Sequence, residues 1–317
     1  MRDAFARAMT NLAAERADVT LLSGDIGNRM FDRFKQVAPE RFLNCGIAEA
    51  NMMSLAAGMA LSGLRPVIYT ITPFTTTRCL EQIRVGVAYH QAPVVIVGTG
   101  SGLSYAELGP THHSLEDMAI LRTLPGLNVL APADSAELVA QLRAALNHSH
   151  PTYIRIGKKG EPQLHQDGSQ LGIGKANLLR DGRDLLVVGV GPILGEALKA
   201  AENLAVDGFS VAIASLGGVK PLDDAFLKSM AERFPRWISL EEHGITGGVG
   251  SALLEWLSEQ DVHPISLKRL GVPDAFLHEL GNQSYTRRQL GLDASGLAQS
   301  FRNAVAVYHH ADRAGFR

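Results

Sequence analysis

In residues 93–122, PVVIVGTGSGLSYAELGPTHHSLEDMAILR, an apolar strand-like run is followed by a glycine-rich turn and then by a helical pattern. The run at 93–99 is β-branched and apolar, which is typical of a strand buried in a parallel sheet. The same pattern occurs in four other runs, VTLLS at 19–23, PVIYTI at 66–71, NVLAP at 128–132 and TYIRI at 152–156. We therefore predict five buried strands, with the polar loop that begins at residue 109 at the carboxyl end of one of them.

The segments between these strands place apolar residues at helical spacing. They predict helices at Asp3–Ala17, Ala48–Leu61, Thr75–His90 and Ser135–Asn147. Strands that alternate with helices form βαβ units, so the sheet is expected to be parallel.

A second block of alternating strands and helices follows residue 176. Residues 157–176 contain glycine, proline and polar residues without periodicity, which predicts a linker. Beyond it we predict strands at 185–190, 209–216, 236–242 and 264–270, and helices that begin near Gly195, Asp223, Gly248 and Ser295. The prediction is an α/β protein with two three-layer α/β/α domains and mostly parallel sheets, at residues 1–165 and 176–317.

The composition is that of an ordinary globular protein of 317 residues. It has 30 Lys and Arg against 32 Asp and Glu and no basic stripe, which argues against nucleic acid as a partner. There is no run of about 18 apolar residues to cross a membrane, and the charged start MRDAFARAMTNLAAE lacks the apolar core of a signal peptide. We therefore expect a cytoplasmic protein. Cys45 and Cys79 are too far apart for a CxxC pattern and are expected to be buried thiols.

The glycine-rich turn GVGPILGE at 189–196 resembles a phosphate-binding loop only in composition. Its spacing is G-x-G-x-x-x-G, and Pro192 removes one backbone donor, so dinucleotide binding is disfavoured. The motifs GxxxxGK[ST], HExxH and GxSxG do not occur in the sequence. Their absence disfavours P-loop, zincin and hydrolase functions.

A single carboxylate, Glu49, lies near the start of the apolar helical segment at 48–63, within the motif GIAEAN. The helix dipole favours an acidic residue in a first turn, so one interpretation of Glu49 is a helix cap. Apolar neighbours such as Met52 and Met53 leave little room for solvent. The alternative is therefore a desolvated carboxyl that shares a proton with a bound base.

Two adjacent histidines, His112 and His113, follow GPT in the loop after the strand at 93–99. They are turn residues, metal ligands or catalytic groups. Side chains at neighbouring positions diverge, which disfavours a shared metal ion. One catalytic histidine is the better hypothesis.

Several motifs together resemble the family of transketolase and 1-deoxyxylulose-5-phosphate synthase. The motif EEHGITGGVGSAL at 241–253 is similar to the C-terminal domain of these enzymes. Their pyrimidine-binding domain is resembled by SGDIG at 23–27, GIAEAN at 46–51, PFTTTRCLEQI at 73–83 and GPTHHSLEDMAILRTLPGLNVLAPAD at 109–134. The resemblance covers nearly the whole chain, in order. It implies half of such an enzyme, without the pyrophosphate-binding domain and its GDG-type motif, and therefore a partner chain.

The resemblance implies roles for residues around bound thiamine diphosphate. Glu49 matches the glutamate that hydrogen-bonds the aminopyrimidine ring and promotes removal of the thiazolium proton. His112 matches the histidine of the GPTH segment, which contacts the sugar donor and helps proton transfer. Phe74 is the candidate for stacking on the pyrimidine, unless it packs in the core. Arg78 is a cofactor contact, a substrate contact or a surface or interface residue, and Asp25 lies near the cofactor or forms a turn.

Two arginines fall where transketolases hold the substrate phosphate. Arg2 opens the first helix and Arg155 lies in the strand TYIRI, and the alternative for each is an ordinary surface residue. Because a forked guanidinium suits phosphate or sulfonate, an anionic sugar is expected. The sequence departs from the family at Leu108, which replaces an aspartate that addresses the C2 hydroxyl of the donor, and near Gly100, where a histidine is replaced. These departures leave the donor open.

The function that the resemblance implies is that of the C-terminal subunit of a split transketolase, which moves a two-carbon ketol unit from an anionic ketose to an aldose. An N-terminal, pyrophosphate-binding subunit would hold Mg²⁺, Ca²⁺ or Mn²⁺ with the cofactor. We expect a two-plus-two heterotetramer, or a homodimer without the partner. The alternatives are a carboligase similar to 1-deoxyxylulose-5-phosphate synthase, the beta subunit of the decarboxylating component of a 2-oxo-acid dehydrogenase, and a non-catalytic scaffold subunit.

Overall fold

The computed structural model describes residues 1–262, 264–279 and 281–313, and these residues form twelve strands and eleven α-helices. In chain order the strands are β1 Val19–Ser23, β2 Phe42–Asn44, β3 Arg65–Ile71, β4 Val95–Thr99, β5 Asn128–Leu130, β6 Thr152–Ile156, β7 Asn177–Arg180, β8 Leu185–Gly189, β9 Val211–Ser215, β10 Gly218–Lys220, β11 Arg236–Gly244 and β12 Ser266–Val272. The helices are α1 Arg2–Glu15, α2 Asp32–Val37, α3 Glu49–Leu61, α4 Thr72–Thr75, α5 Asp117–Arg122, α6 Ser135–Asn147, α7 Leu194–Ala205, α8 Asp224–Arg233, α9 Val249–Glu259, α10 Gln283–Gln289 and α11 Ala294–Arg313.

The strands form two mostly parallel sheets, which confirms the predicted α/β fold. The order is β10-β5-β6-β4-β3-β1-β2 in the first sheet and β12-β11-β8-β9-β7 in the second. Only two neighbouring pairs in these sheets are antiparallel, β10 with β5 and β7 with β9. All five strands predicted before residue 157 are present. The sequence did not reveal β2, β7 and β10, because three or four residues are too few to show a periodicity.

The first sheet lies between two layers of helices, because successive residues of each strand point to opposite faces. One face packs on α1 and α6 and includes Val19, Leu21, Val67, Tyr69, Val95 and Val97. The other face packs on α3 and includes Leu22, Ile68 and Ile96. The second sheet has α7 and α11 on one face and α8 and α9 on the other. The central strands of both sheets are therefore buried on both faces.

The prediction of one continuous helix at Thr75–His90 is wrong. The chain instead makes the short α4, a 3₁₀ turn at Thr77–Cys79 and a π-helical segment at Gln82–Tyr89. The hydroxyls of Thr75 and Thr76 both donate to the carbonyl of Thr72, at 3.0 and 2.7 Å, and so compete with helical hydrogen bonds. Gly98 lets α4 approach β4, since a Cβ atom there would lie 2.8 Å from Thr72 Oγ1. This irregular segment sets the positions of the side chains between β3 and the π-helical segment.

Candidate active site

The carboxyl ends of β1, β3, β4 and β6 lie at one edge of the first sheet, because these strands run parallel. Asp25, Phe74, Tyr105 and Lys158 lie in the segments that leave these ends. The turn after β2 runs along the same edge, where the amide of Asp25 donates to Gly46, and it leads into α3. The first residue of α3, Glu49, therefore lies at this edge as well.

Glu49 is a buried carboxyl with a cationic partner. Its side chain is 5% exposed, and its Oε1 accepts a hydrogen bond from Arg78 Nη1 at 3.0 Å. Burial and, to a smaller extent, the negative charge of Glu49 raise the pKa of the Cys79 thiol to about 11. Glu49 is thus a buried acid in the first turn of α3, with Arg78 as its partner.

A row of side chains leads away from Glu49. The guanidinium carbon of Arg78 lies 4.0 Å from the ring centre of Phe74. The ring of Phe74 contacts His112 edge to face, with ring centres 5.4 Å apart. These contacts connect Glu49 through Arg78 and Phe74 to His112. In the sequence, Glu49 and His112 are more than sixty residues apart.

The row continues past His112 to a second cation. The ring centre of Tyr105 lies 5.9 Å from that of His112, and Lys158 Nζ lies 4.5 Å from the Tyr105 ring centre. Tyr105 and Lys158 were not identified from the sequence, because they lie in a glycine-rich turn and in the predicted linker. We call the complete set the site row, and its members in order of contact are Glu49, Arg78, Phe74, His112, Tyr105 and Lys158.

The two adjacent histidines lie in different environments. Burial and, to a smaller extent, the charge of Arg78 lower the pKa of His112, so its imidazole is mainly neutral at pH 7. His112 Nδ1 lies 3.0 Å from the hydroxyl of Thr111. His113 is 7% exposed, and its Nε2 lies 3.0 Å from the carbonyl of Ala106. Only His112 is part of the site row, and a neutral imidazole there is able to accept a proton.

Asp25 and Arg2 lie at the margins of the site row. Asp25 is exposed, and its Oδ1 accepts a hydrogen bond from Asn44 Nδ2 at 3.2 Å. Arg2 is partly buried at the start of α1. Burial alone would lower the pKa of Arg2, but interactions with the hydroxyls of Tyr69 and Tyr105 outweigh it and leave this pKa raised. Arg2 Nη2 lies 3.7 Å from Met30 Sδ.

Arg155 lies outside the site row, where the two sheets meet. It is 4% exposed, and its Nε forms an ion pair with Asp117 Oδ2 at 2.9 Å. Its Nη2 also donates to the carbonyls of Ser114 at 2.8 Å and Glu242 at 3.4 Å. Protein groups therefore use much of its guanidinium. Phosphate binding by Arg155 stays a prediction, and the contacts favour a role in holding the two domains together.

The buried polar groups around Arg155 were not identified from the sequence. The hydroxyl of Tyr153 donates to Asp117 Oδ2 at 2.6 Å, and His243 Nε2 lies 3.9 Å from Asp117 Oδ1. Burial lowers the pKa of His243 to about 4, so this histidine is neutral. The signal that was available is the run of three ionisable residues at 241–243 in a mostly apolar strand. Such a run is tolerated only where partners satisfy its charges.

The described part of the chain, 1–262, 264–279 and 281–313, contains neither a metal-binding cluster nor a membrane-spanning helix. Within it, no three or more His, Cys, Asp or Glu side chains are grouped so that they could ligate a metal ion. No helix in these ranges has the length and apolar character needed to traverse a lipid bilayer.

Both halves of the chain match domains of known proteins. The model of the transketolase pyrimidine binding domain matches residues 1–162, and that of the transketolase C-terminal domain matches residues 174–296. An apulose-4-phosphate transketolase subunit from Phocaeicola vulgatus is 33% identical over 301 residues, which are 94% of this chain and 95% of that protein. The 6-deoxy-6-sulfo-D-fructose transketolase subunit SqwH from Clostridium sp. (strain MSTE9) is 33% identical over 318 residues, 100% of this chain and 96% of that one.

A solved structure is similar over the same extent. It is described as a split gene transketolase, inactive beta4 tetramer, and it matches with a TM-score of 0.86 at 31% identity. The match covers 96% of this chain and 97% of that one.

Proposed function

This chain belongs to the transketolase family, and we propose that it is the subunit of a two-component transketolase that binds the aminopyrimidine end of thiamine diphosphate. The two relatives described above are transketolase subunits, and each matches this chain over nearly the whole of both sequences. The observation that carries the proposal is the site row, which joins the buried acid Glu49, the aromatic ring of Phe74 and the neutral His112 at one sheet edge.

The residues near Glu49 fit an aminopyrimidine ring. Such a ring needs a carboxyl group beside one ring nitrogen and a flat apolar surface against its face. Glu49 offers the carboxyl and Phe74 offers the surface, while Arg78 contacts both of them. Because the side chain of Arg78 is 49% exposed, it is able to turn toward solvent when a ring takes its place on Phe74.

Residues of this chain would bind the cofactor and transfer protons during the reaction. Thiamine diphosphate, when bound, supplies the carbon nucleophile that adds to the carbonyl of the donor. Glu49 would hydrogen-bond the ring nitrogen through its buried carboxyl. His112, neutral at pH 7, would take a proton from the donor hydroxyl and return it later. Asp25 would lie at the margin of the cofactor site.

The proposed reaction moves a two-carbon ketol unit from an anionic ketose to an aldose. The names of the two relatives include an apulose 4-phosphate and a sulfonated fructose. In this chain Arg2 would bind the acid group of the donor, because its Nε has no hydrogen-bond partner among the described residues. A phosphorylated or sulfonated ketose is therefore the proposed donor.

The proposed partner covers an apolar face formed by α3 and the π-helical segment. Three large apolar side chains are prominent there, since Ile47 is 84%, Tyr89 80% and Leu61 58% exposed. A groove of about 590 Å³ lies beside Tyr89. A helix that is apolar on all sides is normally buried, which favours a second chain on this face. The proposed occupant is the N-terminal, pyrophosphate-binding subunit, which would also hold the Mg²⁺, Ca²⁺ or Mn²⁺ ion.

The proposed assembly is a two-plus-two heterotetramer, with a homodimer through the same surfaces when the partner is missing. An obligate interface of this kind buries more than about 2,000 Å² in total. The tetramer of the similar solved structure supports self-association. The cytoplasm is the proposed location.

Reconstitution with the pyrophosphate-binding subunit tests the proposed function. The mixture is expected to transfer ketol units from anionic ketoses, and Glu49→Gln is expected to lower kcat about 100-fold or more. Glu81→Gln is the matched control, because Glu81 is an exposed acid at 65% and lies outside the site row. Release of carbon dioxide from pyruvate would favour the carboligase or dehydrogenase alternative. Normal association without any turnover would favour a scaffold.

A further inference from the structure

Gly100, the first residue after β4, shapes the site beside His112. Its backbone φ is +81°, and a Cβ atom built there would lie 2.1 Å from Cε2 and 2.2 Å from Cδ2 of Tyr105. Atoms that are not bonded do not approach so closely, so any side chain at position 100 would displace the Tyr105 ring. Glycine also adopts this positive φ without steric cost. The missing side chain at position 100 thus makes the notch that holds the ring.

Neighbours on two sides keep the Tyr105 ring in this notch. His112 meets it nearly edge to face, at an interplanar angle of 70°. Lys158 Nζ lies 4.5 Å from the ring centre and also contacts Glu107 Oε1 at 3.3 Å. A cation over an aromatic face stabilises the arrangement. The ring of Tyr105 is nevertheless only partly buried, so a ligand in the site can reach it.

A second cation, Arg2, opens α1, and its Nη2 lies 3.7 Å from Met30 Sδ. Arg2 Nε is buried and has no hydrogen-bond partner among the described residues. A buried donor without an acceptor is unfavourable, and an arriving acid group would relieve this cost. Arg2 thus keeps a donor available, while Lys158 is the cation in contact with Tyr105.

We infer that Tyr105 is a specificity-determining residue that, together with Arg2 and Lys158, binds the acid group at the far end of the sugar donor. The inference rests on the proposed function, because it takes His112 as the residue at the reacting end. Tyr105 is the next member of the site row after His112, and Lys158 lies beyond it. The phenol would donate a hydrogen bond to a phosphate or sulfonate oxygen while the two cations balance its charge.

The test uses the complete reconstituted complex carrying Tyr105→Phe, which keeps the ring in its notch and removes the hydroxyl. With fructose 6-phosphate as donor, KM is expected to rise about tenfold or more with kcat nearly unchanged, because a hydrogen bond to a charged group is lost. With uncharged fructose both parameters should stay as in the wild type. Tyr285→Phe, in α10, is the matched control. An equal loss with both sugars, or no loss with either, would overturn the inference.

Lysine substitutions separate a direct contact from a general effect of charge. Lys158→Met should raise KM for fructose 6-phosphate several-fold, whereas Lys159→Met removes the same charge one residue away and should have little effect. Parallel assays with 6-deoxy-6-sulfofructose distinguish the two acid groups, since the phosphate carries up to two negative charges and the sulfonate one. Equal effects of the two lysine variants would contradict a contact made by Lys158.

Calorimetric titration keeps this test independent of turnover. If the wild-type complex binds fructose 6-phosphate without converting it, the proposed ketol transfer is wrong, but the role of Tyr105 is still decided by binding. Tyr105→Phe should then weaken the binding of fructose 6-phosphate and leave thiamine diphosphate binding unchanged. Equal affinity of the two complexes, or failure of the wild type to bind any of these acid sugars, would refute the inference.

Discussion

Replacing Arg155 by methionine distinguishes a substrate contact from a structural one. Arg155 is 4% exposed and Asp117 is 2% exposed, and Arg155 Nε lies 2.9 Å from Asp117 Oδ2. The same guanidinium donates to the carbonyl of Ser114 at 2.8 Å. Methionine keeps much of the volume of the side chain but removes its charge and donors. The substitution would leave the carboxylate of Asp117 buried without its cationic partner.

The expected cost is large because the pair is buried. Breaking a buried ion pair by removing one partner costs about 3–5 kcal/mol. The hydroxyl of Tyr153 remains as a donor to Asp117, at 2.6 Å, so the lower end of that range is expected. For domains of about 150–250 residues, each kcal/mol lowers Tm by roughly 2–4 °C, so the expected fall is about 6–12 °C.

The assay is thermal and urea unfolding of the isolated chain. Arg143→Met is the matched control, because Arg143 pairs with Glu15 at the surface, and the two side chains are 44% and 49% exposed. It should cost less than about 1 kcal/mol. Asp117→Asn in the Arg155→Met background should recover part of the loss. An unchanged Tm, combined with a higher KM for a phosphorylated donor in the complex, would refute the structural role and support phosphate binding by Arg155.

Three further outcomes follow from the described contacts. Tyr89→Asp should prevent assembly with the partner in analytical ultracentrifugation while the chain stays folded, and Val206→Asp, also at an exposed site, should not. Burial raises the pKa of Glu137 and of Glu241 to about 7, above the usual 4.5, so the stability that they contribute below pH 4.5 is lost as the pH rises through 7. The free energy of unfolding in urea should therefore fall by about 1–2 kcal/mol between pH 6.5 and 8, and a rise would contradict this assignment. Cys79, buried with a pKa of about 11, should react with iodoacetamide at pH 8 at least about tenfold more slowly in the folded than in the urea-unfolded chain, and equal rates would contradict its burial.

The strands with the strongest apolar pattern were the predictable part of the fold. Each of the five runs before residue 157 is buried on both faces of the sheet, so nearly all of its residues had to be apolar. The edge strands β2 and β10 have three residues each and left no such pattern. The segment at 72–89 has helical spacing, but threonine hydroxyls that bond to the backbone break its first part. Such local competition is visible only once the carbonyl partners are known.

The candidate site also has residues that could be predicted from the sequence and one that could not. Glu49, Phe74, Arg78 and His112 were identified through motifs, and they come together because their segments end at the same edge of a parallel sheet. Tyr105 was not identified from the sequence, because its ring occupies the space that a side chain at position 100 would fill.

The sequence could not predict which buried groups pair with Arg155. Arg155 and Asp117 are far apart in the sequence, and Glu242 lies 87 positions beyond Arg155, so no local spacing links them. Contacts between distant charges depend on how the two domains pack, which neither periodicity nor a short motif encodes.

Titration of thiamine diphosphate with Mg²⁺ by calorimetry tests most directly whether the cofactor site is shared between two chains. The titrations are made into this chain alone, into the pyrophosphate-binding subunit alone, and into equimolar mixtures with the wild-type chain and with Glu49→Gln. Tight binding is expected only in the wild-type mixture, and Glu49→Gln should weaken it. Tight binding to this chain alone, or equal affinity in the two mixtures, would contradict a shared site built on Glu49.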